Sequence, residues 1–253
     1  MTTDTNRPNK DKNMRKIIED VRNCDLACYS SKYTFPLNTR TNGKRRSISV
    51  EELKNAKPLI DDWREQQVMF VSQAPSKQAW VDNELSSLNN SFLTDFLLPK
   101  IYPDKSLNEA LEQWKQAVFW VHTANCYPFV HTDGRSKGRD KAPDLRCANK
   151  YLDRFVNTMN PELIVLMGVS STRFFSRSIR SEISSDKNYP SLKEILEWQY
   201  TNKKGLAVSS KSGNSEHRSI IIPHAANWDK LDEKEKYAYD LVFESLKSFV
   251  VDN

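Results

Sequence analysis

Four short, largely apolar runs constrain this chain more than any other feature: Val68–Val71, Val118–Val121, Leu163–Met167 and Ser219–Ile222. None alternates apolar with polar residues, so each reads as a strand covered on both faces. Helical spacing of apolar residues marks Leu85–Leu98, Asp144–Met159, Leu192–Tyr200 and Glu233–Val250. Buried strands separated by amphipathic helices predict an α/β fold, a three-layer α/β/α sandwich around a central, mostly parallel four-stranded sheet. One domain over residues 14–253 is expected, with residues 1–13 (MTTDTNRPNKDKN) as a disordered tail. Met14, Ile17, Ile18 and Val21 predict a helix running into Cys24. Lys32 to Ser49, with the basic run Lys44-Arg45-Arg46, reads as a solvated loop. Residues 176–216 are longer and more polar than a minimal crossover, and read as an insertion.

Composition narrows the classes. A formal charge of +5 over 253 residues permits an acidic partner such as nucleic acid without requiring one. The apolar runs are too short to cross a bilayer, and the polar start is not a signal peptide, so a cytoplasmic protein without a membrane partner is expected. A monomer is the expected state. Only six glycines are present and no Walker-type loop, which removes nucleotide-hydrolysis and hydride-transfer readings.

In open parallel sheets, ligands bind outside the carboxyl ends of the strands. Those ends read Gln73-Ala74-Pro75-Ser76, His122-Thr123-Ala124-Asn125-Cys126, Gly168-Val169-Ser170-Ser171-Thr172 and Pro223-His224-Ala225-Ala226-Asn227-Trp228. Two of the protein's four histidines, His122 and His224, therefore share one predicted edge beside amides and hydroxyls, as a binding site would. Gly168 followed by Ser-Ser-Thr opens a helix whose N–H groups suit a phosphate, or are simply capped.

The four cysteines form two pairs, Cys24/Cys28 and Cys126/Cys147. Structural disulfides are not expected in a cytoplasmic chain. Four thiolates suit either zinc or an iron–sulfur cluster, and composition does not separate the two.

Taken in order, these segments resemble the uracil-DNA glycosylase superfamily, and in particular its iron–sulfur branch. Ser72-Gln73-Ala74-Pro75-Ser76 is similar to that branch's GEAPG-like motif. Asn125-Cys126-Tyr127-Pro128-Phe129 is similar to its KCRPP segment. Pro161–Gly168 resembles its PKVIVALG-like strand, and His224-Ala225-Ala226 its HPS motif. The likeness spans roughly residues 20 to 250. It implies a 4Fe–4S cluster on Cys24, Cys28, Cys126 and Cys147, with zinc as the alternative. It also implies a monofunctional DNA glycosylase that flips a nucleotide out of DNA and leaves an abasic site.

The resemblance further implies roles. His224 would donate a hydrogen bond to the leaving base, and Gln73 would floor the base pocket. Ala74 stands where the best-known branch has a water-activating aspartate. His122, Pro75, Trp80 and Asn125 would line the base pocket. Ser76, Ser170, Ser171, Asn227, Trp228 and Lys230 would contact DNA, with Trp228 as the wedge that fills the vacated stack. His122 occupies the position of the asparagine that reads a pyrimidine edge, and Leu85 falls near that of the stacking aromatic residue. These departures point away from uracil towards another base, including a phage-type glucosylated hydroxymethylcytosine removed in antiviral defence. Ordinary uracil repair, an inactive module that binds modified DNA and a zinc-stabilised nuclease accessory domain are the alternatives.

Overall fold

A computed structural model describes residues 7–24, 37–41, 44–55, 57–126, 145–211, 215–224 and 230–249. Its centre is a five-stranded sheet of β3 (Val68–Ser72), β4 (Val118–His122), β5 (Leu163–Met167), β6 (Leu206–Ser209) and β7 (Glu216–Ile222). The order is β4-β3-β5-β7-β6; the first four strands are parallel, and β6 runs antiparallel to β7. All four apolar runs are strands of this sheet. Every residue of β3, β4 and β5 is buried, which is why these segments show no alternation.

The fifth strand corrects the expected four. Leu-Ala-Val-Ser is short and lies in the stretch read as an insertion, so it carries little signal of its own. It is positioned by close approach: a β-carbon on Gly205 would sit 2.3 Å from the Ser219 carbonyl oxygen, so only glycine fits where the chain turns into β6. Beyond β6, the edge of β7 is completed by a side chain. Gln199, fully buried, donates to the Ile221 carbonyl at 2.8 Å and accepts from the Ile221 N–H at 2.8 Å, as a neighbouring strand would.

Helices cover both faces. On one, Met69, Val71, Phe119, Val121, Ile164 and Leu166 pack against α1 (Arg7–Arg22) and the helical segment through α7 (Asp153–Met159). On the other, Phe70, Trp120, Val165 and Ile222 meet residues of the 92–101 helix, α5 (Leu107–Ala117) and α11 (Glu233–Lys247). Trp114, Trp120 and Phe70 lie within 5.1–6.0 Å of one another there.

Several boundaries differ from the sequence reading. Residues 7–13 belong to α1 rather than to a disordered tail, because Met14 and Val21 are fully buried and anchor the whole helix. Residues 85–90 precede a π-helical turn, Phe92–Leu97, that leads into Leu98–Ile101, so the predicted Leu85 helix starts a turn and a half late. A second π-helical turn, Ala148–Leu152, interrupts the helix that follows Leu145. The segment read as a loop contains an antiparallel hairpin, β1 (Leu37–Thr41) and β2 (Lys44–Ile48). Residues 176–216 hold α9 (Ser176–Glu182), α10 (Leu192–Asn202) and β6. No helix among the described residues is long and apolar enough to cross a membrane.

Candidate active site

The strand order reverses between β3 and β5: the chain leaves β3 towards β4 on one side, and continues from β5 to β7 on the other. Their carboxyl ends flank the crevice where open α/β sheets bind ligands. A side-chain hydrogen bond spans that point, from Ser170 Oγ to Gln73 Oε1 at 3.2 Å. The β3–β4 ladder extends past the strands as well. Thr123 N donates to the Ser72 carbonyl at 2.9 Å and Ala124 N to the Gln73 carbonyl at 3.1 Å, while Thr123 Oγ1 also donates to Gln73 O at 2.7 Å. Gln73 is thus fixed at its carbonyl by β4's extension and at its amide by α8 (Gly168–Phe174).

His224 enters from the end of β7. Tyr239 Oη donates to the Pro223 carbonyl at 3.0 Å, and Gln199 holds Ile221, so two of the three residues before His224 are pinned from α11 and α10. Gly168 has φ +79° and faces His224; a β-carbon there would lie 3.7 Å from His224 Cβ. The exposed His224 therefore faces the start of α8 at Gly168.

His122 is different. It is 3% exposed, its ring lies stacked 6.3 Å from Trp120, and its Nδ1 has no hydrogen-bond partner among the described residues. Burial pushes its pKa down to about 3, so the imidazole is neutral at physiological pH. Trp120 is itself held by its Nε1 donating to Ser72 Oγ at 2.9 Å.

Other predicted residues take structural positions. Asn125 is 1% exposed; its Oδ1 accepts from His122 N at 3.3 Å and its Nδ2 donates to Cys147 Sγ at 3.6 Å. Its amide braces the loop rather than facing a base. Ser171 is fully buried with its hydroxyl donating to Gly168 O at 2.9 Å, so it packs inward rather than towards a phosphate. Ser76 caps α3 (Lys77–Asp82), accepting from Ala79 N at 3.1 Å. Ala74 is half-buried and Pro75 buried beside it, and Trp80 is half-buried against the core. Lys230 is exposed. Asn227 and Trp228 lie outside the described residues. Among the described residues at these four strand ends, none is acidic.

Cys147 is buried, Cys24 and Cys126 are half-buried, and all three pack against the same core face with no disulfide. Asn125 donates to Cys147 Sγ from its backbone N at 3.5 Å, and Tyr151, one turn beyond Cys147, contacts the Cys24 thiol. Burial first, and Cys24 after it, push the Tyr151 phenol up to about 12. Cys28 lies outside the described residues, among which no three His, Cys, Asp or Glu side chains form a group able to hold a metal.

Sequence reasoning missed Gln199, Tyr239 and Thr123. Their partners lie 22, 16 and 50 positions away, and no local pattern encodes such pairings. The Ser106-x-x-Glu109 capping box was a legible signal for α5.

No family model and no curated protein matches the chain. Among solved structures, the fold is similar to a solution NMR structure of a proposed uracil DNA glycosylase from Methanosarcina acetivorans. The identity is 9% and the TM-score 0.40, over 75% of this chain and 98% of that one. A likeness at that level concerns the α/β fold and assigns no chemistry.

Proposed function

We propose that the chain is a monofunctional DNA glycosylase that hydrolyses the bond between a flipped, non-canonical base and its sugar, leaving an abasic site. The observation that carries the reading is the hydrogen bond between Ser170 and Gln73 at the switch point, with His224 facing Gly168, two residues before Ser170. Cleavage of an N-glycosidic bond leaves positive charge on the sugar and negative charge on the departing base. His224 donates a hydrogen bond to that base as its charge develops, the kind of interaction that strengthens in the transition state. Gln73, locked through both its carbonyl and its amide, supports the base at fixed height. Among the described residues at the four strand ends none is acidic, so in this reading no carboxylate there repels the anionic leaving group and none activates water. The reaction is then strongly dissociative, with water captured late by the sugar cation and oriented by backbone groups.

His122 accounts for the substrate. Where an asparagine amide would offer both a donor and an acceptor to a base edge, this position carries a buried neutral imidazole whose Nδ1 is closed off. That favours a base other than uracil, of the modified-cytosine type. Partnership with DNA follows from the chemistry.

Cys24, Cys126 and Cys147, with Cys28, would hold a 4Fe–4S cluster that braces this side of the domain. The fit is one of chemistry alone: the three described thiols pack against one core and two N–H donors reach Cys147, but they do not come together as a metal-holding group, and Cys28 lies outside the described residues. N–H donors to sulfur are among the features that tune such clusters. Protein purified without oxygen should contain iron and sulfide in equal amounts, both lost in Cys147→Ser; zinc in their place would make the site a zinc site.

His224→Ala tests the chemistry. Single-turnover excision should fall by about 100- to 1000-fold, as when one transition-state donor is lost. Binding to the same DNA should change by only a few-fold. Excision at the normal rate would refute the role of His224.

A further inference from the structure

We infer that Gln73 reads the base as a hydrogen-bond donor, through Nε2, and that the Ser170 hydroxyl sets this polarity. That the ligand is a base rests on the glycosylase reading above. A primary amide is ambiguous by itself, because turning it over exchanges a carbonyl acceptor for a pair of N–H donors. One contact removes the ambiguity. Ser170 Oγ donates to Gln73 Oε1 at 3.2 Å, and Ser170 is only 7% exposed, so α8 holds the hydroxyl in place. Gln73 Oε1 is the one acceptor that this hydroxyl meets among the described residues. A reversed amide would bring N–H groups to it and leave the hydroxyl proton without an acceptor. The main chain is fixed as well, since the Gln73 carbonyl accepts from Thr123 Oγ1 and Ala124 N. What remains is Nε2. It has no partner among the described residues and, unlike His122 Nδ1, it is not buried out of reach.

Position gives the donor its use. Gln73 directly follows β3, at the point where the strand order reverses. The ligand class is then a base with a carbonyl oxygen or an unprotonated ring nitrogen on the edge that meets Gln73. An amino group turned there would set donor against donor. A cytosine-type base meets the requirement with its O2 and N3 edge and fails it with its N4 amino group, so Gln73 also fixes which edge faces β3. When the glycosidic bond breaks, its electron pair stays on the base. The acceptor atoms gain negative charge and the contact tightens without any proton transfer. Glutamate at this position keeps the shape and reverses the polarity: with one oxygen on Ser170, the other turns an acceptor and a charge towards the base.

The test is nuclear magnetic resonance of the nitrogen-15-labelled full chain with a duplex carrying an abasic site, to which free cytosine, 5-hydroxymethylcytosine, uracil or hypoxanthine is added. The side-chain amide signal of Gln73 is identified by its loss in Gln73→Glu. At least one base should move that signal downfield, as donation to an acceptor does. Gln73→Ala should weaken binding of that base by about 2- to 10-fold, the worth of one hydrogen bond. Gln73→Glu should weaken it by about 10-fold more, because two acceptors then face each other. A structural role predicts the opposite order, since glutamate fills the space and alanine empties it. Ser170→Ala should fall to the level of Gln73→Ala, and Ser170→Thr, which keeps the hydroxyl, should bind as the wild type does. Thermal melts confirm that each variant is folded. A Gln73 signal unmoved by every base would overturn the inference, as would Gln73→Ala binding no better than Gln73→Glu. Excision by the wild type is read separately. Excision with an unmoved signal would sink the donor role and leave the glycosylase reading standing. A moved signal with the predicted order, but no excision of any base, would sustain the donor role and sink the glycosylase reading.

Discussion

Strand β4 is used in two different ways along its length. At its side, the segment 57–66 covers the sheet's open edge and hydrogen-bonds to β4 and its extension at two points. Asp61 Oδ2 accepts from Trp120 N at 3.3 Å and its Oδ1 from Asp62 N at 3.0 Å, while Leu59 N donates to the Asn125 carbonyl at 2.6 Å. Gln66, 2% exposed, donates to the Asp62 and Lys115 carbonyls at 2.9 and 3.0 Å and accepts from Arg64 N at 2.7 Å. At its tip, by contrast, the same strand ends in His122, buried with Nδ1 unpaired among the described residues. A sealed edge prevents pairing with other chains. An unpaired buried group costs stability unless a ligand meets it. Under the proposed function a base would meet this strand end; Ser86 Oγ, Gln113 Oε1, Trp114 Nε1 and His217 Nε2 are buried and unpaired among the described residues as well, so an orphaned atom alone does not mark recognition. The cleft of about 840 Å³ beside the sealed edge is lined by charges that answer one another: Arg22 with Asp62 at 2.6 Å and Lys115 with Glu84 at 3.1 Å.

The comparison breaks first at Gln66. Gln66→Ala removes three hydrogen bonds and strands two carbonyls, at a cost of about 2–3 kcal/mol. The midpoint of thermal unfolding should drop by about 5–10 °C. Excision should be unchanged, because nothing at the switch point depends on Gln66. A variant that melts normally but excises poorly would place the edge segment in the site.

The pH dependence of stability sharpens the contrast, because the two groups titrate in opposite senses. Burial, opposed by the backbone donors at Trp120 and Asp62, raises Asp61 to about 6 from its ordinary 3.8. The folded state then holds a proton that the unfolded chain lacks between those values, so the contribution of Asp61 weakens as pH rises from about 4 to 6. His122, depressed to about 3, contributes stability above its ordinary 6.5 that is lost as pH falls through the window below it. Each acts at up to about 1.4 kcal/mol per pH unit, so between about pH 4 and 6 they nearly cancel. Denaturant titrations should show a flat profile there for the wild type. Asp61→Asn should unmask a loss on acidification, and His122→Asn a gain. Parallel profiles for both variants would contradict the assigned environments.

The smallest effect is expected at Tyr239. Tyr239→Phe removes the bond to Pro223 O, costing about 1 kcal/mol. It should lower excision a few-fold without altering DNA affinity, since it relaxes the chain leading to His224. Equal loss of binding and excision would argue for a general disturbance of α11 instead.

These contrasts also mark what the sequence made legible. The strands were readable because burial on both faces suppresses alternation, and β3, β4 and β5 are buried throughout. The positions of Gln73, Ser170 and His224 followed from topology, since parallel strands bring their carboxyl ends to one edge. What stayed hidden depends on pairing across the fold. β6 needs β7 and Gly205, Gln199 acts as a surrogate strand for Ile221, and the hairpin is made of polar, charged residues that read equally well as loop. Asn125 and Ser171 looked available in sequence; burial and the bonds to Cys147 and Gly168 assign them to the scaffold.

The central claim is that the carboxyl edge of the sheet excises a base. The most direct measurement is the count of abasic sites formed by the purified protein on duplexes carrying uracil, hypoxanthine or 5-hydroxymethylcytosine and on phage DNA with glucosylated cytosines. The account predicts abasic sites on at least one modified substrate, in amounts that follow enzyme concentration and vanish with His224→Ala. DNA that is bound but left intact across the whole panel would contradict it, and would make the protein a reader of modified bases.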